Sequence, residues 1–297
     1  MATKNVGEPI GGPGASVRDR VPLDAECRGR QAVTEQRRSP DFEESRFERT
    51  TIVMHPRRIP LTGFPDVVLH AEELSAKRHA QFAAAKTGNI VAAGAVVAEF
   101  INSESVERLR ALLDDQPAEL LPVHALEVGG VNEIPVALAR ELGRRLGCSV
   151  NTSVVQSNAV GHTGADGFHR LANQALFEGI VAPGARYVVI DDFVGQGGTL
   201  ANLIGYVFAE GARVVGATTL TGKPYSAKLA PVEHQIQTLR EKHGRGLEEW
   251  WVESFGFDFD RLTRSEARYL EKTEDAHTIR DRTIAARLER GAKDRRS

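Results

Sequence analysis

A chain of 297 residues can bury one substantial core with appendages or two small ones, and one catalytic domain with tails is expected. Its 38 Lys and Arg against 40 Asp and Glu give a formal net charge of -2, which excludes a global field that would draw nucleic acid or an anionic membrane surface; binding must be local. Cys27 and Cys148 are too few for a disulfide framework or a zinc site, no apolar run approaches membrane-span length, and the first residues carry no secretory pattern, so a soluble cytoplasmic protein is expected.

Residues 1–50 mix Gly, Pro, Arg and Glu with apolar residues that follow no period, and read as a disordered tail. Residues 51–117 read as a helical N-terminal addition, or hood. It opens with a short strand over Thr51–Met54 and a Pro-broken connection holding Arg57 and Arg58. Helices are expected from Ala71 to Lys86, stopped by Gly88-Asn89, from Ile90 to Ile101, and from Ser105 to Leu113. The second of these is apolar almost all round, which predicts burial against a sheet.

Residues 118–224 read as an α/β core. A buried strand over Leu120–Glu127 runs into the turn Val128-Gly129-Gly130-Val131-Asn132 and a helix with Pro135 in its first turn, where a missing N–H costs little; that helix stops at Gly147. A strand over Ser149–Gln156 follows, then a stretch of small and polar residues from Ser157 to Phe168 with the composition of a mobile functional loop. His162, Asp166, His169 and Arg170 sit in or beside it. Leu171–Phe177 is short and helical or irregular, and Pro183-Gly184 is a turn.

The stretch from Tyr187 to Leu200 carries the chemistry. An apolar β-branched run ends in Asp191 and Asp192, a glycine-rich turn follows, and Leu200, Leu203, Ile204, Val207 and Phe208 have helical spacing. A parallel strand delivers its last residues to a sheet edge, and the following helix aims its positive end and unpaired N–H groups at whatever lies there. An anion belongs in that loop: Gly195, Gly197 and Gly198 let the backbone come close, while Gln196 and Thr199 offer side-chain donors. The two carboxylates just before it can accept from vicinal hydroxyls or hold a divalent cation. Phosphate donors beside a diol acceptor suggest a ribose phosphate. A strand over Val214–Leu220 then places the turn Thr221–Pro224 on the same edge.

Residues 225–297 read as a C-terminal hood and helical tail. A helix is expected from Ser226 to His243, a strand or hairpin arm over Glu249–Phe257, a capping box at Thr263-Arg264-Ser265-Glu266, and a charged helix from Asp275 to Arg290.

Val188, Val189, Ile190, Asp191, Asp192, Gly197, Gly198, Thr199 and Leu200 together resemble the diphosphoribose-binding motif of the type I phosphoribosyltransferases, and the strand, paired-glycine turn and helix around Gly129-Gly130 resemble that family's pyrophosphate loop. The likeness runs from about Leu120 to Thr221. It implies a doubly wound, mainly parallel α/β sheet with helical N- and C-terminal additions. It further implies transfer of phosphoribosyl from phosphoribosyl pyrophosphate (PRPP) to a nitrogenous base, with release of pyrophosphate, assisted by Mg2+. Asp191 and Asp192 would hold the ribose hydroxyls, directly or through the metal. Val194, Gly195, Gln196, Gly197, Gly198 and Thr199 would hold the 5′-phosphate, and Glu127, Val128, Gly129, Gly130 and Asn132 the pyrophosphate, with Arg170 within reach of it. The loop after Ser157 would close over the reaction, and a hood would seat the base, with Trp250, Trp251, Phe255 and Phe257 as stacking candidates if they are not spent on packing a core. Homodimers are common in that family.

Two departures stand out. The pyrophosphate loop carries Glu127 and Asn132 where many members have Arg or Lys, so either metal is required or positive charge comes from elsewhere. Gly195 stands where members acting on 6-oxopurines have an acid, which leaves the loop closer to those for adenine, xanthine or orotate, or to those of regulators. Three readings follow: a transferase, a PRPP sensor of the same fold without turnover, or an unrelated doubly wound protein whose acids bind another ligand.

Overall fold

The computed structural model describes residues 55–127, 130–158 and 166–294, all within one unit, Ile52–Ser297. The tail over 1–50, the strand expected at Thr51–Met54, Val128, Gly129 and His162 lie outside the described residues. In chain order, β1 (Val68–Ala71) leads through a 3-10 turn (Ala76–Arg78) to α1 (Phe82–Lys86), α2 (Ile90–Phe100) and α3 (Ser103–Leu113). Next come β2 (Glu119–Pro122), a small ribbon of β3 (Leu126–Glu127) and β4 (Gly130–Val131), α4 (Ile134–Leu146) and β5 (Ser149–Val150). A second ribbon joins β6 (Val155–Gln156), across α5 (Gly167–Ala172), to β7 (Phe177–Glu178). The core closes with β8 (Arg186–Val194), α6 (Gly198–Ala209) and β9 (Arg213–Gly222). Five helices follow: α7 (Pro224–Ala227), α8 (Glu233–His243), α9 (Arg245–Phe255), α10 (Arg264–Lys272) and α11 (Ala276–Asp294).

Among the described residues five strands, all parallel, form one sheet in the order β1-β9-β8-β2-β5. The doubly wound α/β class expected from the sequence is the fold. Val188 and Ile190 of β8 face Leu109 of α3 and Leu138 and Leu142 of α4, whereas Tyr187 and Val189 face Leu200, Leu203, Ile204 and Val207 of α6. Burial on both faces is why β8 reads as a continuous apolar run instead of an alternating one. A third apolar cluster, around Leu171, Leu239, Trp251, Phe255, Phe259 and Leu270, ties α5 to the C-terminal helices. No helix among the described residues is long and apolar enough to cross a membrane.

Several expected elements are corrected. Instead of a helix over Ala71–Lys86, Ala71 ends β1, an edge strand paired Val68↔Thr218, the 3-10 turn at Ala76–Arg78 follows, and only Phe82–Lys86 is α-helical. The Gln81 amide donates to His79 Nδ1 at 3.0 Å, a local bond that competes with a continuous helix. Helix α2 packs on α1 and α4 through Ala92, Ala93, Val96 and Val97, and leaves Val91 83% exposed, so it is not buried all round. The strand expected over Leu120–Glu127 ends at Pro122, which has no N–H to donate onward. That over Ser149–Gln156 breaks where Asn151 Oδ1 accepts from the Ser153 amide at 2.9 Å. The helix expected over Ser226–His243 splits into α7 and α8 around Pro231. Glu249–Phe257 is not a strand, because Leu247, Trp251 and Phe255 recur every fourth residue and bury one helical stripe. The capping box is present: Thr263 Oγ1 accepts from the Glu266 amide at 3.1 Å and Glu266 Oε2 from the Thr263 amide at 2.9 Å.

The segment ahead of β1 crosses α6 closely at Gly205, where an added Cβ would lie 1.6 Å from the Arg57 carbonyl oxygen. Gly205→Ala is therefore expected to destabilise the fold by ~1–3 kcal/mol, read as a lowered midpoint of denaturant unfolding.

Candidate functional site

From β2 the chain winds outward to β5, then returns to β8 and winds outward the other way to β9. The strand order therefore reverses between β2 and β8, and in an open parallel sheet the crevice beyond the carboxyl ends at such a point is where ligands sit. A cavity of about 180 Å3 lies there, bounded by Asp191 and Asp192 of β8, the Gly195–Gly197 turn, the first residues of α6, and Val123 and Asn132 after β2.

Asp191 is 8% exposed, and its Oδ1 accepts from the Asp192 amide at 2.8 Å. Burial and then the neighbouring Asp192 push its carboxyl well above the usual range. Asp192, its side chain 13% exposed, is desolvated as well, but that effect is outweighed by the Lys86 ammonium, 3.1 Å from its Oδ2, and by hydrogen bonds that include Asn132; its carboxyl is held low. The two acids are thus driven apart, Asp191 toward its neutral form and Asp192 toward its charged one.

The turn after β8 is shaped for an anion. Gly197 has φ 82°, and a Cβ there would meet Leu229 at 2.6 Å, so only glycine fits. Helix α6 then starts at Gly198, leaving the N–H groups of its first turn without helical partners. Arg170 of α5 lies over Gly195, where an added Cβ would fall 2.5 Å from its Nη1. Its Nε is buried without a partner among the described residues, and burial lowers its pKa although Asp166 opposes that. A desolvated, under-satisfied guanidinium beside a glycine turn suits an anionic ligand.

Behind the turn lies a buried polar knot. Arg58 pairs with Glu266 through Nη1 to Oε2 at 2.5 Å and Nη2 to Oε1 at 2.8 Å, with side-chain exposures of 0% and 2%. Arg58 Nε also donates to Asn202 Oδ1 of α6 at 2.6 Å, and its guanidinium stacks 4.5 Å from the Phe257 ring centroid. Glu266 reaches the cavity wall, so Arg58 neutralises a carboxylate that would otherwise repel an anion.

No protein-family model matches the chain. Protein TraN of Escherichia coli is 39% identical over 232 residues, which are 78% of this chain and 52% of TraN. An uncharacterized protein of Haemophilus influenzae is 39% identical over 147 residues, 50% of this chain and 33% of that protein. The chain thus spans about half the length of one curated relative and a third of the other. Among solved structures, adenine phosphoribosyltransferase from Thermoanaerobacter pseudethanolicus overlaps 43% of this chain and 73% of its own, at 18% identity and a TM-score of 0.29.

Of the residues singled out in the sequence, Asp191, Asp192, Val194, Gly195, Gln196, Gly197, Gly198, Thr199, Asn132 and Arg170 all border this one cavity. Gly130 does not line it; it sits on β4 with φ 132°, pressed against the Thr87 carbonyl. Val128 and Gly129 are outside the described residues, as is the side chain of Glu127, whose backbone lies in β3. Asp166 caps α5, accepting from the His169 amide at 2.7 Å. Of the two roles weighed for Trp250, Trp251, Phe255 and Phe257, the structure shows core packing: none lines the cavity, and the last three are fully buried in the helical cluster. The aromatic walls are Phe82 and Phe193 instead. Lys77 and Lys86 also line it, supplying the positive charge that the loop around Glu127 and Asn132 lacks. Nothing in the sequence flagged them, because they belong to a separate segment 106 residues from the acids in the case of Lys86 and Asp192.

No group of three or more His, Cys, Asp or Glu side chains that could hold a metal occurs among the described residues. The adjacent carboxylates nevertheless suit Mg2+, which is commonly held by one or two carboxylates together with water and substrate phosphates.

Proposed function

We propose that this chain binds PRPP in the β2/β8 crevice and transfers its phosphoribosyl group to a nitrogenous base, releasing pyrophosphate. The observation that carries this reading is the continuous wall that Asp191, Asp192 and the Gly195–Thr199 turn form on one cavity, which would seat sugar and phosphate side by side. A base nitrogen would attack C1 of the ribose as the C1–O bond to pyrophosphate breaks, and the bonding electron pair leaves on pyrophosphate. Positive charge then develops on the ribose and negative charge on the leaving group, so positioning and electrostatics supply most of the catalysis. Asp191 and Asp192 accept from the ribose hydroxyls and lie closest to the developing cation. The turn amides and Arg170 hold the 5′-phosphate, while Asn132, Lys86 and Lys77 face the pyrophosphate side. Mg2+ on the two Asp carboxylates would neutralise charge on the departing pyrophosphate. Phe82 and Phe193 give a planar base two aromatic faces.

A second reading, PRPP sensing without turnover, is favoured by one contact: Lys86 already occupies Asp192, where a ribose hydroxyl or the metal would bind. The two readings separate on pyrophosphate release from PRPP and Mg2+ across a panel of bases. Release with at least one base is expected. PRPP binding without release would favour the sensor, and no PRPP binding at all would overturn both. Arg170→Gln is expected to weaken PRPP binding about 10- to 100-fold, the value of one charged hydrogen bond, with the melting temperature unchanged or raised.

A further inference from the structure

We propose that the C-terminal helical unit serves as a brace for the anion-binding turn, with Ser226 and Thr263 as its positioning residues; the ligand side of this inference rests on the function proposed above. Ser226 Oγ donates to the Gly195 carbonyl at 2.5 Å, and Thr263 Oγ1 to the Gln196 carbonyl at 2.5 Å. Both hydroxyls are buried, Ser226 at 4% exposure and Thr263 at 0%, and neither residue lines the cavity.

A planar trans peptide sets its C=O and N–H in opposite directions. Tying the Gly195 carbonyl to Ser226 therefore turns the Gln196 N–H the other way, and tying the Gln196 carbonyl to Thr263 does the same for the Gly197 N–H. Gly195, Gln196 and Gly197 line the cavity and the two hydroxyls lie behind them, so the two amides are aimed at the ligand before it arrives. Free glycine-rich backbone would sample many orientations, and an anion would have to order it on binding.

The brace is itself held fast. Thr263 is the cap of α10, Glu266 closes its capping box, and the Glu266 carboxylate is locked by Arg58, which also grips Asn202 of α6. The strand, the turn, the helix after it and the C-terminal unit thus share one buried hydrogen-bonded frame. Such an addition acts on the phosphate end of the site, whereas the aromatic residues expected there to seat the base are spent on the unit's own core.

The test uses the full chain, with hydrogen exchange of the 194–200 backbone in the absence of ligand and calorimetric binding of inorganic phosphate and of PRPP with Mg2+. Ser226→Ala and Thr263→Val are expected to speed exchange of the turn amides and to weaken both ligands about tenfold, with Thr263→Ser restoring both readouts. Thr263→Val also removes a helix cap; Ser226→Ala touches none and decides the matter if the other variant unfolds. A folded Ser226→Ala protein with unchanged exchange would overturn the brace, even if PRPP binds. Faster exchange in Ser226→Ala, together with a wild type that binds no PRPP, would sustain the brace and overturn the proposed function.

Discussion

Arg58→Met is expected to cost ~3–5 kcal/mol of stability, because it leaves the Glu266 carboxylate buried without its partner. The pair is almost wholly out of water, at 0% and 2% side-chain exposure, and bidentate, so little solvent screening softens the loss. At ~2–4 °C per kcal/mol for a domain of this size class, the melting temperature should fall by on the order of 10 °C. Removing the second charge as well, in Arg58→Met with Glu266→Gln, should return most of it: an uncharged amide keeps the bond to the Thr263 amide without a buried charge to compensate. A single variant as stable as the wild type, or a double variant no better than the single, would show that the buried pair does not stabilise the fold in this way.

Asp191→Asn should raise stability at neutral pH while weakening PRPP binding by ~10- to 100-fold, the value of a charge-assisted hydrogen bond to the ribose. The sign follows from the direction of its shift. Burial and Asp192 raise its folded-state pKa above the ordinary 3.8, so its contribution to stability is full below that value and is lost as pH rises through the folded-state pKa. Asn carries no charge to desolvate and removes that loss. The same shift predicts that wild-type affinity for PRPP with Mg2+ rises with pH over this window, since the ionised form of Asp191 is the one that binds. Unfolding curves at several pH values, beside calorimetric titrations that count protons released, check both halves. A less stable variant, or PRPP affinity that falls with rising pH, would sink this account of the acid pair.

The legible and illegible parts of the molecule divide along the range of the forces involved. Over Glu249–Phe257, Trp, Val and Phe favour a strand locally, whereas burial of Trp251 and Phe255 on one stripe decides for a helix. The Ala-rich Ala71–Lys86 segment favours helix locally, but Ala71 joins the ladder with β9 and the Gln81 amide donates to His79 Nδ1, so only Phe82–Lys86 winds as an α-helix. A preference worth a fraction of a kcal/mol per residue yields to burial, pairing and competing hydrogen bonds.

By itself the sequence determined the strand that carries Asp191 and Asp192, the glycine turn and the start of α6, because a strand, a positive-φ turn and a helix start are set by neighbouring residues and their period. It also determined the α/β class, through the buried β-branched runs and the helical patterns between them. Only the tertiary structure decided which charges surround that stretch. Lys86 meets Asp192 across 106 residues, and Arg58 meets Glu266 across 208, with Ser226 and Thr263 closing behind the turn. Such pairings depend on which segments the sheet and its covering helices bring to one edge, and no local periodicity encodes that choice.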